Sequence, residues 1–225
     1  MDPELALPNR ALTAGEIAML KPLFRDGIDY TRVRVIDNSF PLQPENVYMT
    51  PRGHIYAPGS LFQQDFSATR GGLREVFVHE MTHVWQFENG MDLIGAGAVE
   101  FIKNRGNYEK AYAYELASGR DLTEYGMEQQ ASIVEDYFSL TVEHGYAHRM
   151  TNQGIGNAER DALYAAVLKN FLANARYARG LDAKQVAAQH ARDSETKQPG
   201  PEACKESEQE HGTAHMCSWR YQPLR

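Results

Sequence analysis

From Val76 to Trp85 only His79, Glu80 and His83 depart from an uncharged, mostly apolar run. A helix that is apolar nearly all round has to be buried. Imidazoles and a carboxylate carried into that interior are costly unless each finds a hydrogen-bond partner, a counter-charge or a metal. The rest of the chain must therefore fold so as to bring partners to this one segment.

The segment reads His79-Glu80-Met81-Thr82-His83, an HExxH pattern. Histidines at i and i+4 share a helix face, so both rings can reach one ion at roughly 2.0–2.1 Å. Glu80 lies about 100° round the helix, placed to touch a water on that ion rather than the ion itself. A zinc ion held there makes its water acidic enough, with a pKa of about 7, for a neighbouring carboxylate to take the proton. With 8 histidines and 19 glutamates in 225 residues, chance supplies only about 0.02 such matches. The bland alternative is a pair of core histidines satisfied by hydrogen bonds.

A third ligand must come from elsewhere. The extended pattern HExxHxxGxxH needs glycine at position 86 and histidine at 89, where the chain has Gln86 and Asn89, so a metzincin-type site is excluded. A second strong helix is expected over Met127 to Glu143, where Met127, Ala131, Val134, Phe138 and Val142 recur at helical spacing. It offers Glu128 and Glu135, seven residues apart and nearly on one face. A carboxylate at Glu128 also suits the first turn of a helix for its dipole alone. Glu135 or Asp136 could instead orient a ligand histidine. An oxyanion donor is open among Tyr112, Tyr114, Tyr125, His144 and His148; the tyrosines could equally pack in the core and the histidines cap their helix.

Elsewhere, Leu12 to Phe24 reads as a helix, with Thr13 and Glu16 at capping-box spacing. Tyr30 to Ile36 alternates and is rich in β-branched residues, which predicts a strand. Asn46 to Met49 and His54 to Tyr56 flank Thr50-Pro51-Arg52-Gly53, a turn ending in a left-handed glycine, and so predict a hairpin. The three strands make one small twisted sheet, and the edge near His54 to Tyr56 could pair with an extended peptide. Leu73 to Glu88 is a helix closed by Asn89-Gly90. Gly90 to Gly106 is a glycine-rich connector, either a flap or a linker. Asn157 to Tyr177 and Asp182 to Arg192 are further helices.

The fold class that emerges is α+β: one compact domain over residues 1–193, with a small N-terminal sheet on the HExxH helix and a mainly helical C-terminal part. From Ser194 to Arg225 the composition turns polar and predicts a flexible tail. Cys204 and Cys217 both lie there, able to form a local bridge or stay as free thiols, so they do not report on the core's redox compartment. His211 and His215 in the tail fit no strong zinc spacing.

Charge and length narrow the function classes. A formal charge of −7 gives no electrostatic footprint for nucleic acid or an anionic membrane surface. Apolar runs fall far short of the roughly 18 residues that span a bilayer. Met1-Asp2-Pro3-Glu4-Leu5 lacks the basic and apolar regions of a cleaved signal peptide, so export is expected to use another route.

Several stretches resemble the bacterial Vgr-related zinc metallopeptidase family, whose relatives are effector domains fused to VgrG spike proteins of type VI secretion systems. They are Gly27-Ile28-Asp29-Tyr30, Arg32 to Val35, Pro41 to Pro44, Met49-Thr50-Pro51, His79 to Gln86, Tyr125 to Glu128 and Asp136-Tyr137-Phe138. The resemblance runs over residues 8 to 145 and is strongest on the two metal helices. It implies a compact zincin-like metallopeptidase fold over residues 1–193 and a gluzincin-like site with Zn2+ on His79, His83 and Glu128 and with Glu80 as catalytic base. It further implies a protein or peptide substrate, a secretion spike and an immunity protein as partners, and passage from the producer's cytoplasm to a target-cell periplasm. Two other functions keep the same motif: a zinc amidase acting on peptidoglycan, and a non-catalytic scaffold serving for binding or delivery.

Overall fold

The computed structural model describes residues 6–97 and 108–180. The expected helix over Asp182 to Arg192, the polar tail with its two cysteines and most of the glycine-rich connector lie outside the described residues. Within the connector, residues 93–97 are helical. Among the described residues no helix is long and apolar enough to cross a membrane.

The first helix, α1 (Ala14–Phe24), starts at the expected cap: Thr13 Oγ1 accepts from the Glu16 N–H at 3.0 Å and Glu16 returns the bond to the Thr13 N–H at 2.8 Å. The sheet differs from expectation. Its strands are β1 (Asn9–Ala11), β2 (Arg34–Ile36) and β3 (Ile55–Tyr56), in that order, with β1 antiparallel and β3 parallel to β2.

The strand expected from Tyr30 starts only at Arg34. Asp29 captures the Thr31 N–H at 3.1 Å and its hydroxyl at 2.6 Å, a local turn that outcompetes extension. The expected hairpin shrinks to one antiparallel bridge between Met49 and Tyr56. Leu42 and Asn46 take left-handed backbone angles, which interrupts an extended run. The turn itself holds, with Gly53 at φ +75°.

Helix α2 (Leu73–Glu88) carries the motif and is buried without a break from Phe77 to Gln86. Trp85 donates its indole N–H to the Ala175 carbonyl at 2.6 Å, tying α2 to the turn after the last described helix. A short α3 (Tyr108–Tyr112) precedes α4 (Met127–Phe138), the element against which α2 packs most extensively. Beyond Phe138 the chain widens to a π-helical turn over Ser139–Glu143, ended by His144 in the left-handed region. That wider turn rotates Val142 off the apolar stripe expected for it, and it is exposed. The helix expected over Asn157 to Tyr177 is two, α5 (Asn157–Val167) and α6 (Lys169–Ala173), divided at Leu168.

The fold is thus mixed α+β, mostly helical, with one small sheet. Its core joins Val35 and Ile55 of the sheet, Phe77, Val78, Met81 and Val84 of α2, and Ile133, Val134 and Phe138 of α4.

Candidate metal centre

Two helices build the site. From α2, His79 and His83 stand one turn apart with ring centroids 5.0 Å from each other, nearly perpendicular. From the first turn of α4, Glu128 reaches between them: its Oε2 lies 3.1 Å from His79 Nε2 and 3.3 Å from His83 Nε2. Ligand atoms of the three residues all fall within 4.8 Å of one another, a group that could hold a metal ion. Two atoms bound at 2.0–2.1 Å to a tetrahedral ion stand about 3.3 Å apart, so the spacing suits zinc. The donor set, two imidazoles and one carboxylate, is also one that zinc takes in hydrolytic sites.

The other nitrogen of each ring is engaged too. His79 Nδ1 donates to Glu135 Oε2 at 2.9 Å, and His83 Nδ1 donates to Gln86 Oε1 at 2.8 Å. Gln86 in turn donates to the Met127 carbonyl at 2.9 Å and to Gln130 Oε1 at 3.0 Å, which binds His83 to the start of α4. Both rings are thereby held with Nε2 toward Glu128, as metal-ligating histidines are by partners behind them.

The electrostatics follow from that packing. Burial by itself lowers the pKa of His79, but Glu128 and Glu135 more than reverse it and raise it to about 10. His83 is shifted upward as well; burial opposes the rise and Glu128 drives it. Burial raises the Glu128 carboxyl, yet His83 and His79 hold it far below the ordinary carboxylate range. The cluster is a carboxylate-rich pocket that demands positive charge, which protons on the rings or a divalent cation can supply.

Glu80 is buried beside this group, and its Oε2 accepts the Thr50 hydroxyl at 2.6 Å. Of the five donors considered for an oxyanion, only Tyr112 is seen to set its ring against a site histidine, 5.6 Å from His79. Tyr114 is buried and donates to Asp136, while Tyr125 donates to the Glu115 carbonyl. His144 and His148 are exposed, the first as the left-handed cap of the π-turn. Asp136 does not orient a site histidine: it accepts from Tyr114 and from the His148 and Arg149 backbone N–H groups.

Sequence reasoning missed Gln86 and Thr50. Gln86 sits three residues after His83, so the same helical spacing that linked the histidines could have found it. Thr50 is 30 residues from its partner Glu80 and leaves no local signal.

Fold and site together define a mixed α+β domain in which two packed helices present a His-His-Glu cluster beside a separately held glutamate, Glu80. The chain is 37% identical over 164 residues to the type VI secretion system spike protein VgrG2b of Pseudomonas aeruginosa, a match covering 72% of this chain and 15% of that protein. Its fold matches the solved effector domain of Pseudomonas aeruginosa VgrG2b with a TM-score of 0.56 at 35% identity, covering 70% of this chain and 83% of that one. The chain belongs to the family of the VgrG2b effector domain. It spans only 15% of the length of the spike protein itself, and no family model matches it.

Proposed function

We propose that this chain is a zinc-dependent peptidase that serves as a type VI secretion effector domain. The observation that carries the reading is the convergence of His79 Nε2, His83 Nε2 and Glu128 Oε2 beside the buried Glu80. The kinship with a spike protein's effector domain supports the delivery half, with a VgrG spike as partner and export into a target cell.

His79, His83 and Glu128 would hold the ion, with Glu135 and Gln86 fixing the two rings. Zinc bound there supplies a Lewis acid and lowers the pKa of water it binds. Glu80 takes the proton of the attacking water and passes it to the leaving amine, a general-base role worth about 10²- to 10⁴-fold. Thr50 steers that carboxylate by donating to Oε2, which leaves its Oε1 for the water. Tyr112, its ring 5.6 Å from that of His79, is the candidate for stabilising an oxyanion.

Metal content and hydrolysis of a protein substrate, measured together on the purified chain and on Glu80→Gln, test this. The expected result is stoichiometric zinc in both and a rate about 10²- to 10⁴-fold lower in the variant. Full activity in Glu80→Gln, or a chain that takes up no zinc, overturns the reading. Hydrolysis of peptidoglycan amides with none of protein would keep the site and change the substrate.

A further inference from the structure

A cleft of about 690 Å³ opens at the C-terminal end of α2, and the proposed function does not use it. Three arginines line it, Arg32, Arg52 and Arg179, with one carboxylate, Glu88. Glu88 is already engaged, its Oε2 accepting the Asp29 N–H at 3.0 Å. The chain's formal charge is −7, whereas the lining of this cleft is net positive. The three guanidinium-bearing residues are exposed, so their charge reaches solvent rather than the core.

Two features join the cleft to the candidate metal centre. Phe87 follows His79 and His83 at the same four-residue interval and lines the cleft, which puts it about 6 Å further along the same helix face than His83. The turn that supplies Arg52 and Gly53 to the cleft begins at Thr50, the residue that holds Glu80. Gly53 is required there: at φ +75° it lies so close to Phe87 that a Cβ would stand 2.6 Å from the ring. One turn thus steers the general base at one end and shapes the cleft at the other.

We infer that this cleft binds an acidic stretch of polypeptide, with Arg32 and Arg179 taking its carboxylates, Arg52 adding positive charge from its place over the Phe40 ring, and Phe87 meeting an apolar side chain beside them. On the peptidase reading, on which this assignment of substrate class rests, that stretch flanks the bond to be cut. A polypeptide laid along the α2 face from the metal cluster would reach the cleft within about two residues, at 3.3 Å per extended residue.

The test uses the full chain carrying Glu80→Gln, so that the probe is not consumed, and two fluorescein-labelled decapeptides alternating alanine with glutamate or with glutamine. Fluorescence anisotropy should show the glutamate peptide binding about tenfold more tightly. Arg32→Glu with Arg179→Glu should abolish that preference, while circular dichroism and the melting temperature stay as in the parent. Equal binding of the two peptides, or a preference that survives the charge reversal, overturns the inference. So does tighter binding to anionic lipid vesicles than to the glutamate peptide, which would make the cleft a membrane contact. If the unmodified chain cuts no peptide but the preference and its loss are both seen, the peptidase reading fails and the acidic-peptide cleft stands.

Discussion

Two carboxylates, Glu16 fully buried and Glu128 partly buried, are satisfied in opposite ways. Glu16 is fully buried and meets a complete set of donors from the protein: Arg10 in a two-pronged ion pair at 2.7 and 2.8 Å, the Thr13 N–H at 2.8 Å and the Phe66 N–H at 2.9 Å. Its counter-charge is a guanidinium, permanent at any ordinary pH. Glu128 meets two imidazoles, whose charge is conditional. The first arrangement is a finished structural joint; the second can exchange its protons for a metal ion. Buried charge alone therefore does not point to a functional site; a partner that can be exchanged is the sharper sign.

Mutations should separate the two. Glu16→Ala leaves Arg10 without its counter-charge and two backbone N–H groups without acceptors, and should cost about 3–5 kcal/mol whether or not zinc is present. Urea unfolding of the zinc-loaded and chelated chain measures this, and a cost that depended on zinc would break the contrast. Glu128→Ala should do the reverse. Zinc affinity should fall by about 100-fold or more, while the chelated chain unfolds close to the parent, because Ala131, Val134 and Phe138 still pack α4. A chelated variant that no longer folds would make Glu128 a structural joint like Glu16.

Residues behind the rings should show smaller effects. Glu135→Gln keeps an acceptor for His79 but removes its charge, and should weaken zinc by about 10- to 100-fold in a competition titration. Gln86→Ala should stand at about the tenfold end of that range, since a neutral amide is lost rather than a carboxylate. If Glu135→Ala strips the metal and Glu128→Ala retains it, the roles assigned to the two glutamates are exchanged.

What could be read in advance follows the range of each interaction. The Thr13–Glu16 cap, the extent of α2 and the placing of Glu128 and Glu135 on one face of α4 all depend on residues within a few turns of one another, and the structure agrees. Glu16 shows where that reading stops. Its bond to Thr13 was legible, but its acceptance of the Phe66 N–H, 50 residues away, was not. The sheet is the least legible part, because strands of two or three residues carry too little alternation to outweigh a local turn at Asp29 or a left-handed Asn46. On sequence alone Asp136 and Glu135 are equally suited to orient a ligand histidine. One residue of difference, about 100° of rotation, turns it away from the histidines to hold the 148–149 loop.

By itself the sequence determined that one buried helix carries His79, Glu80 and His83, and that a second offers glutamates on a matching face. Helical periodicity and the cost of burying charge are local and need no knowledge of the fold. Only the tertiary structure decided that Glu128 meets both Nε2 atoms while Glu135 stands behind His79, that Thr50 holds Glu80, and that a basic cleft continues the same helix face. Those choices depend on how α2 and α4 are packed and on where the turn at Thr50 to Gly53 lands, and such contacts between distant segments are set by the fit of the whole core.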